Sequence, residues 1–413
     1  MTGIFRQHRR WIVVIVLFLL SMINYLDRQT LSVLAPTLRA KLHFGLVEYS
    51  YVVASFLAAY AIGYASFGPL IDRFGVRRTL SVAVVFWSVS AMFHGAARQW
   101  QQLALFRFLL GLGESLNVPA GARAIREWIP KSERGLCMAI FSNGFLWGSI
   151  LAPPIVSTIA LKWGWHAAFL GTGAMGFAWL IVWLRFYHAP QDDPRLTAAE
   201  RAVILEDGLA PVKSVPWTAM LRHPLCIGLF VSRFLTDPLP YFFQFWLPEY
   251  LQTSRGFTLA LVGILGWIPF LAADAGGPFG GFLSDHLVRR GSSPLQARFR
   301  VLLFAACVMP LAAIAVRVPS SAVALALIAV ILAAQSAWNA NLLTLTSEVF
   351  PIGQTGTLLA LASTGGSLGG IVSTLLAGQV IARVGYIPIF TALALPHLVA
   401  YAILVRAASD HRA

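Results

Sequence analysis

Charge is what this chain has least of. Asp, Glu, Lys and Arg make up 12% of 413 residues, and the acids number 17 against 31 bases. That is too little charge to solvate the surface of a soluble domain. With 58% hydrophobic residues and a mean hydropathy of +0.72, the solvent for most of the chain is lipid. Cysteine is scarce as well. Cys137, Cys226 and Cys307 show no paired spacing, which excludes a disulfide framework and a cysteine metal site. There is no G-x-x-x-x-G-K-[ST], so no ATP-driven pump of that kind, and neither H-E-x-x-H nor G-x-S-x-G occurs. Gly111-Leu-Gly113 lacks the third glycine of a dinucleotide loop. The expectation is a protein that is not an enzyme and holds no metal and no cofactor. The net charge of +14 does not point to nucleic acid, because the bases lie between apolar runs.

What is present is long apolar sequence. At about 20 residues per crossing, the chain holds twelve predicted helices, near 11–34, 47–69, 79–97, 100–127, 136–160, 165–187, 224–250, 258–283, 298–317, 320–345, 354–381 and 385–407. The basic start, Arg6-Gln-His-Arg-Arg10, precedes an apolar run too long for a secretion signal, and it is read as retained. The polar stretch 189–222 separates a bundle over 1–188 from a second over 223–413 as a cytoplasmic linker. Bases crowd alternate loops, at Arg6 to Arg10, Asp72 to Arg78, Arg123 to Arg134 and Arg289 to Arg300, and the positive-inside rule puts both termini in the cytoplasm. A multi-pass monomer in a bacterial inner membrane is expected.

The halves repeat one another. Gly68-Pro-Leu-Ile-Asp-Arg73 is echoed by Gly281-Phe-Leu-Ser-Asp285-His, and Glu127-Trp-Ile-Pro130 with Gly135 by Glu348-Val-Phe-Pro351 with Gly356. The two echoes recur at nearly the same spacing, as duplication of a six-helix unit requires. In the string Gly68 to Arg78, Gly68 and Gly75 allow close packing and a turn, while Asp72 can accept from a helix N-terminus and from Arg73 or Arg77.

That string resembles the signature loop of the major facilitator superfamily. The resemblance implies an all-α fold of twelve transmembrane helices in two six-helix bundles, with this loop latching the cytoplasmic side. Three further stretches resemble the anion:cation symporter family, and within it the hexuronate transporters, with galactonate and sialin-like carriers more distant. They are Asn24-Tyr-Leu-Asp-Arg-Gln-Thr-Leu-Ser32, Arg107 with Glu114, and Ser232-Arg-Phe-Leu-Thr-Asp-Pro238 with Phe245-Trp-Leu-Pro248. Aromatic residues are expected directly after Asp237-Pro238 in hexuronate transporters; here Leu239-Pro240-Tyr241 follows, so the particular anion stays open.

The same residues can be read without the family. Arg107 and Glu114 are seven positions apart, about two turns or roughly 10 Å, on one helix face. Charges at membrane depth cost at least a few kcal/mol unless they meet a polar cavity or a partner. Counted from the helix starts, Asp27, Arg28 and Arg107 fall at similar height, with Glu114 nearer the midplane. We expect an Asp27–Arg107 pair that leaves Arg28 free, and a planar guanidinium suits a carboxylate guest. Asp27 and Glu114 are the candidate proton carriers. A structural network that only ties helices together is the plainer alternative.

The repeat suggests a division of labour. The offset that carries Glu127 onto Glu348 also carries Glu114 onto Gln335, and alignment of Pro36 with Pro248 sets Asp27 and Arg28 opposite Leu239 and Pro240. Acids and guanidinia in the first half would then bind carboxylate and protons, and neutral groups in the second would read the uncharged body of the solute. Tyr25, Tyr60 and Asn143 are first-half candidates; Gln335, Trp338, Asn339, Ser363 and Thr364 are second-half ones. For these, polar glue between helices is an equal reading. Asp237 and Asp274, beside prolines in apolar runs, could join the coupling network or satisfy backbone groups the prolines free.

The expected function is symport of a small organic anion, a hexuronate or other sugar acid, with protons by alternating access. The alternatives are a carrier of another small anion such as a monocarboxylate or aromatic acid, an exporter or carrier of neutral or cationic compounds, and a membrane sensor that moves no solute.

Overall fold

The computed structural model describes residues 9–197, 200–201, 204, 223–349 and 352–410. Arg6, most of the linker 189–222 and Pro351 of the second echo lie outside the described residues. The described chain is helical, with no strand, as the expected all-α membrane fold requires. In the first half the helices are α1 (Arg9–Leu42), α2 (Leu46–Ser66), α3 (Gly68–Phe93), α4 (Trp100–Glu114), α5 (Asn117–Trp128), α6 (Lys131–Trp163) and α7 (Trp165–Phe186). In the second they are α8 (Pro224–Thr236), α9 (Pro238–Ser254), α10 (Leu259–Leu265), α11 (Ile268–Arg289), α12 (Pro294–Val308), α13 (Leu311–Ala315), α14 (Ser321–Val349), α15 (Ile352–Val384), α16 (Ile387–Ala392) and α17 (Pro396–Asp410).

Among the described residues, ten segments are long and apolar enough to cross a membrane. The fourth and seventh of the twelve expected runs fall short because each is broken. Pro119 has no N–H for the Ser115 carbonyl, and the run divides into α4 and α5 around Ser115 and Leu116. Pro238 breaks the seventh run into α8 and α9 at Asp237 and then occupies the first position of α9, where a missing N–H costs nothing. Both breaks lie beside ionisable residues.

The chain divides into two compact units. The first takes in Met1–Phe44, Tyr51–Pro211 and Phe257–Ile264, the second Gly45–Ser50, Val212–Gly256 and Leu265–Ala413. Compared with the boundaries drawn from sequence, two short segments change sides. Tyr49 donates to the Phe245 carbonyl at 2.7 Å and stands edge-on to Trp246, which groups Gly45–Ser50 with the second unit.

Each unit uses one packing device. Gly144 and Gly148 of α6 lie against the carbonyl oxygens of Phe18 and Met22 of α1, so close that an added methyl would overlap backbone. In the second unit Gly365 and Gly369 of α15 lie in the same way on Phe230 and Phe234 of α8. The glycine pairs recur at the offset that carries Glu127 onto Glu348, and the carbonyl pairs at the one that carries Pro36 onto Pro248. Small residues that let helix backbones meet are a usual basis of membrane packing.

The first unit also fastens its two ends. Arg9, at the start of α1, donates to the Phe186 carbonyl at 2.8 Å and pairs with the buried Asp193, just beyond α7.

Candidate functional site

The centre of the first unit is Arg28. Its Nε and Nη2 donate to one oxygen of Glu114, Oε2, at 3.2 and 2.9 Å, and Nη2 also reaches Asn24 Oδ1 at 3.4 Å. Arg28 is 4% exposed and Glu114 0%. Three rings enclose the guanidinium, with centroids 4.4 Å away for Tyr25, 4.7 Å for Phe56 and 4.8 Å for Tyr60. Tyr25 and Asn24 come from the turn of α1 before Arg28, and Phe56 and Tyr60 are i and i+4 on α2, so helical spacing sets each wall of the box and the meeting of α1 with α2 completes it. Aromatic faces favour a cation, most of all one stripped of water.

Arg107 of α4 donates to the Arg28 carbonyl at 3.1 Å, and its guanidinium carbon stands 5.7 Å from the Phe56 centroid. The expected pairing is therefore corrected. Arg28 is held by Glu114, and no hydrogen bond joins Asp27 to Arg107, since neither Asp27 oxygen has a hydrogen-bond partner among the described residues. The reason is angular. Neighbouring residues on a helix project about 100° apart, so when Arg28 faces Glu114, Asp27 points to a different side of α1. Two carboxyls and two guanidinia are thus buried within one unit, with one oxygen of Glu114 and both of Asp27 unpartnered among the described residues.

The second unit differs from its sequence expectation. The positions aligned with Asp27, Arg28 and Glu114 are neutral, yet the unit is not free of charge. Arg233 clamps Asp237 through Nε at 2.9 Å and Nη2 at 2.8 Å, an i,i+4 pair at the α8–α9 break. The proline break puts Asp237 at the end of α8, one turn after Arg233, where the two meet, and Gly366 of α15 lies against the carboxylate. Gln335 is buried and its Oε1 is bonded to Nε2 of His397 from α17. Trp338 is buried and stands edge-on to that imidazole, centroids 5.1 Å apart. Asn339, Asn143 and Asp274 are half-buried, and Ser363 and Thr364 are exposed.

The loop string is differently wired too. Asp72 accepts from Arg123 of α5 at 2.8 Å instead of from Arg73 or Arg77; Arg123 also donates to Glu127 at 2.7 Å. Arg77 donates to the Leu184 carbonyl at 2.7 Å, and Arg73 lies over the Phe74 ring at 5.3 Å. Gly75 has φ +75°, a left-handed turn inside α3 that glycine adopts without strain. The close packing expected at Gly68 is not found among the described residues, with nothing within 4 Å of where a Cβ would stand. Asp285, the echo of Asp72, pairs with Arg298 of α12 at 3.2 Å.

Sequence reading missed Asn24, Phe56, Arg233 as an ion-pair partner, and His397. Asn24 and Phe56 had a signal, helical spacing from Arg28 and Tyr60. Arg233 and His397 carried the one used for Glu114, an ionisable residue inside an apolar run. An apolar groove of about 550 Å³ on the α3–α4 face, lined by Leu70, Phe86 and Leu112 among others, contains none of these residues.

Comparison with known proteins adds the following. The Major Facilitator Superfamily model matches residues 17–374. The chain is 30% identical to the hexuronate transporter of Escherichia coli strain K12 over 391 residues, 93% of this chain and 90% of that one. It is 32% identical over 307 residues to the probable galactarate/D-glucarate transporter GudP of Bacillus subtilis strain 168, covering 70% and 68%. Among solved structures, a bacterial homolog to the human lysosomal transporter Spinster superposes with a TM-score of 0.75 at 18% identity, covering 97% of this chain and 96% of that one. The xylose transporter XylE from E. coli superposes at 0.74 and 18%, covering 96% of each.

Proposed function

Because the chain belongs to the major facilitator superfamily, we propose that this multi-pass membrane transporter imports a sugar acid together with protons, by alternating access. The observation that carries the reading is the Arg28–Glu114 pair inside its ring of aromatic side chains. A guest carboxylate and the Glu114 carboxylate compete for one guanidinium. If the guest wins, Glu114 is left as a buried charge with no partner, which costs several kcal/mol unless it takes a proton. Substrate binding and proton uptake then favour one another, and that is the condition for symport. Asp27, already without a hydrogen-bond partner among the described residues, is the second proton carrier in this scheme. Arg107 holds the Arg28 backbone in place and adds positive charge for the guest.

Relatives named for hexuronate, galacturonate and galactarate/D-glucarate support a sugar acid as substrate. The loop charges support cytoplasmic termini, and bacterial relatives support an inner-membrane location. One anion carried with two protons would move net positive charge inward, helped by about 2.3 kcal/mol per charge per 100 mV.

The test is uptake of labelled galacturonate into proteoliposomes under an imposed pH gradient. Glu114→Gln and Asp27→Asn should both abolish accumulation, while Glu114→Gln keeps substrate exchange at equal pH. Accumulation by Glu114→Gln at the wild-type level would end the proposal.

A further inference from the structure

Buried polar atoms without partners are uncommon in folded proteins, and each calls for a cause. The second unit holds three of them together. His397, 0% exposed, reaches Oε1 of Gln335, 2% exposed, so its Nε2 carries the proton and donates. The Nε2 of Gln335, the Nε1 of Trp338 and the Nδ1 of His397 then have no partner among the described residues. The first two are donors. With its carbonyl already accepting from the imidazole, the Gln335 amide has its N–H groups without a partner among the described residues. Trp338, one turn further along α14 and edge-on to the same imidazole, offers one more.

The position of this cluster matters. Gln335 and Trp338 stand to Glu114 and Asn117 as the α15 glycines stand to those of α6, at one and the same offset along the chain. In the first unit the same two positions also hold polar atoms without a hydrogen-bond partner among the described residues, Oε1 of Glu114 and both amide atoms of Asn117. The duplicated fold therefore sets unsatisfied polar groups at one pair of positions twice, once with charge and once with neutral donors.

We propose that His397 is a positioning residue for solute recognition. It fixes the Gln335 side chain so that amide and indole N–H groups face the hydroxyl oxygens of a polyhydroxy acid. The inference rests on the sugar-acid reading above. It adds a residue of the last helix, and it predicts that the second unit tells hydroxylated anions from bare ones. An oxygen-rich guest meets donors that are otherwise unpaired, whereas a guest lacking the hydroxyl leaves them so. Sites built in this way discriminate strongly.

The experiment measures galacturonate uptake in proteoliposomes and its competition by a deoxy analogue. His397→Leu should raise KM about tenfold, leave the maximal rate and its dependence on the pH gradient within about twofold, and bring the galacturonate-to-deoxy preference towards one. Trp338→Phe, which keeps the ring and loses the N–H, should lower the preference in the same direction. His397→Gln, whose amide N–H can replace Nε2–H, should restore it. If His397→Leu or Trp338→Phe keeps the wild-type preference, or if KM and maximal rate fall together with no change in preference, the positioning role is overturned. Wild-type protein that neither transports nor is inhibited by any sugar acid would defeat the functional reading itself, and this inference with it.

Discussion

In the first unit Gly144 and Gly148 bring α6 onto the backbone of α1, and at the matching positions of the second Gly365 and Gly369 bring α15 onto α8. The scaffold was duplicated and kept. The chemistry on it was not. The first unit buries a guanidinium between a carboxylate from another helix and three aromatic faces. The second pairs Arg233 with an acid four residues on in the same run, and places glutamine, bonded to a histidine, where the first has glutamate. An ion pair between helices responds to any shift of one against the other; an i,i+4 pair travels as one piece. The contrast teaches that packing geometry and charge can diverge independently after a duplication. In the proposed scheme, a competing anion acts on the first unit's pair.

The sharpest way to break this contrast is Arg28→Lys. An ammonium cannot present a planar fork to a carboxylate or lie over three rings in the same way, so uptake should fall about a hundredfold or more. Arg233→Lys, the corresponding change in the second unit, should lower uptake only a few-fold, because an ammonium four residues before Asp237 keeps the local i,i+4 ion pair. Initial rates of the two variants side by side decide the matter, and equal losses would erase the distinction. Next in size is the shared scaffold. Gly148→Ala and Gly369→Ala each force a methyl into a backbone contact and should each cost about 1–3 kcal/mol, read as similar drops in Tm in detergent. A drop in one alone would mean that the packing is not shared after all. Gly75→Ala should cost about 1 kcal/mol through its positive φ. Asp72→Asn should be the mildest. Its pair with Arg123 is largely solvated, with the Asp72 side chain 72% exposed, and should change Tm by less than about 1 kcal/mol equivalent.

The fold was legible because lipid imposes simple rules. Apolar run length and loop charge are coarse properties, and helical spans follow from them without any detail of packing. The helix breaks were only partly legible. Pro119 and Pro238 mark them, but Pro36 and the pair Pro153-Pro154 lie inside continuous helices, so proline alone does not say where a run divides. Buried charges were legible by depth, and Asp27, Arg28, Arg107 and Glu114 all lie buried in the first unit. Their partners were not. Height along a helix can be counted from a sequence, but which way a side chain turns at that height depends on the rotation of the whole helix against its neighbours. The Asp27–Arg107 expectation failed on that point: both residues are buried, but Arg107 donates to the Arg28 carbonyl and not to Asp27. The same limit hid Arg123 as the partner of Asp72, because a loop acid and a base on a distant helix share no periodicity.

One contact bears on how the chain is made. Arg9 cannot finish its hydrogen bonds until Phe186 and Asp193 have been synthesised, for its acceptors are the last carbonyl of α7 and the carboxylate just beyond it. The tie at the head of the polypeptide therefore needs all of α7 and Asp193, and it draws on no residue of α8. Birth order and architecture coincide: the contact that closes the half carrying Arg28 is complete within residues made before the other half.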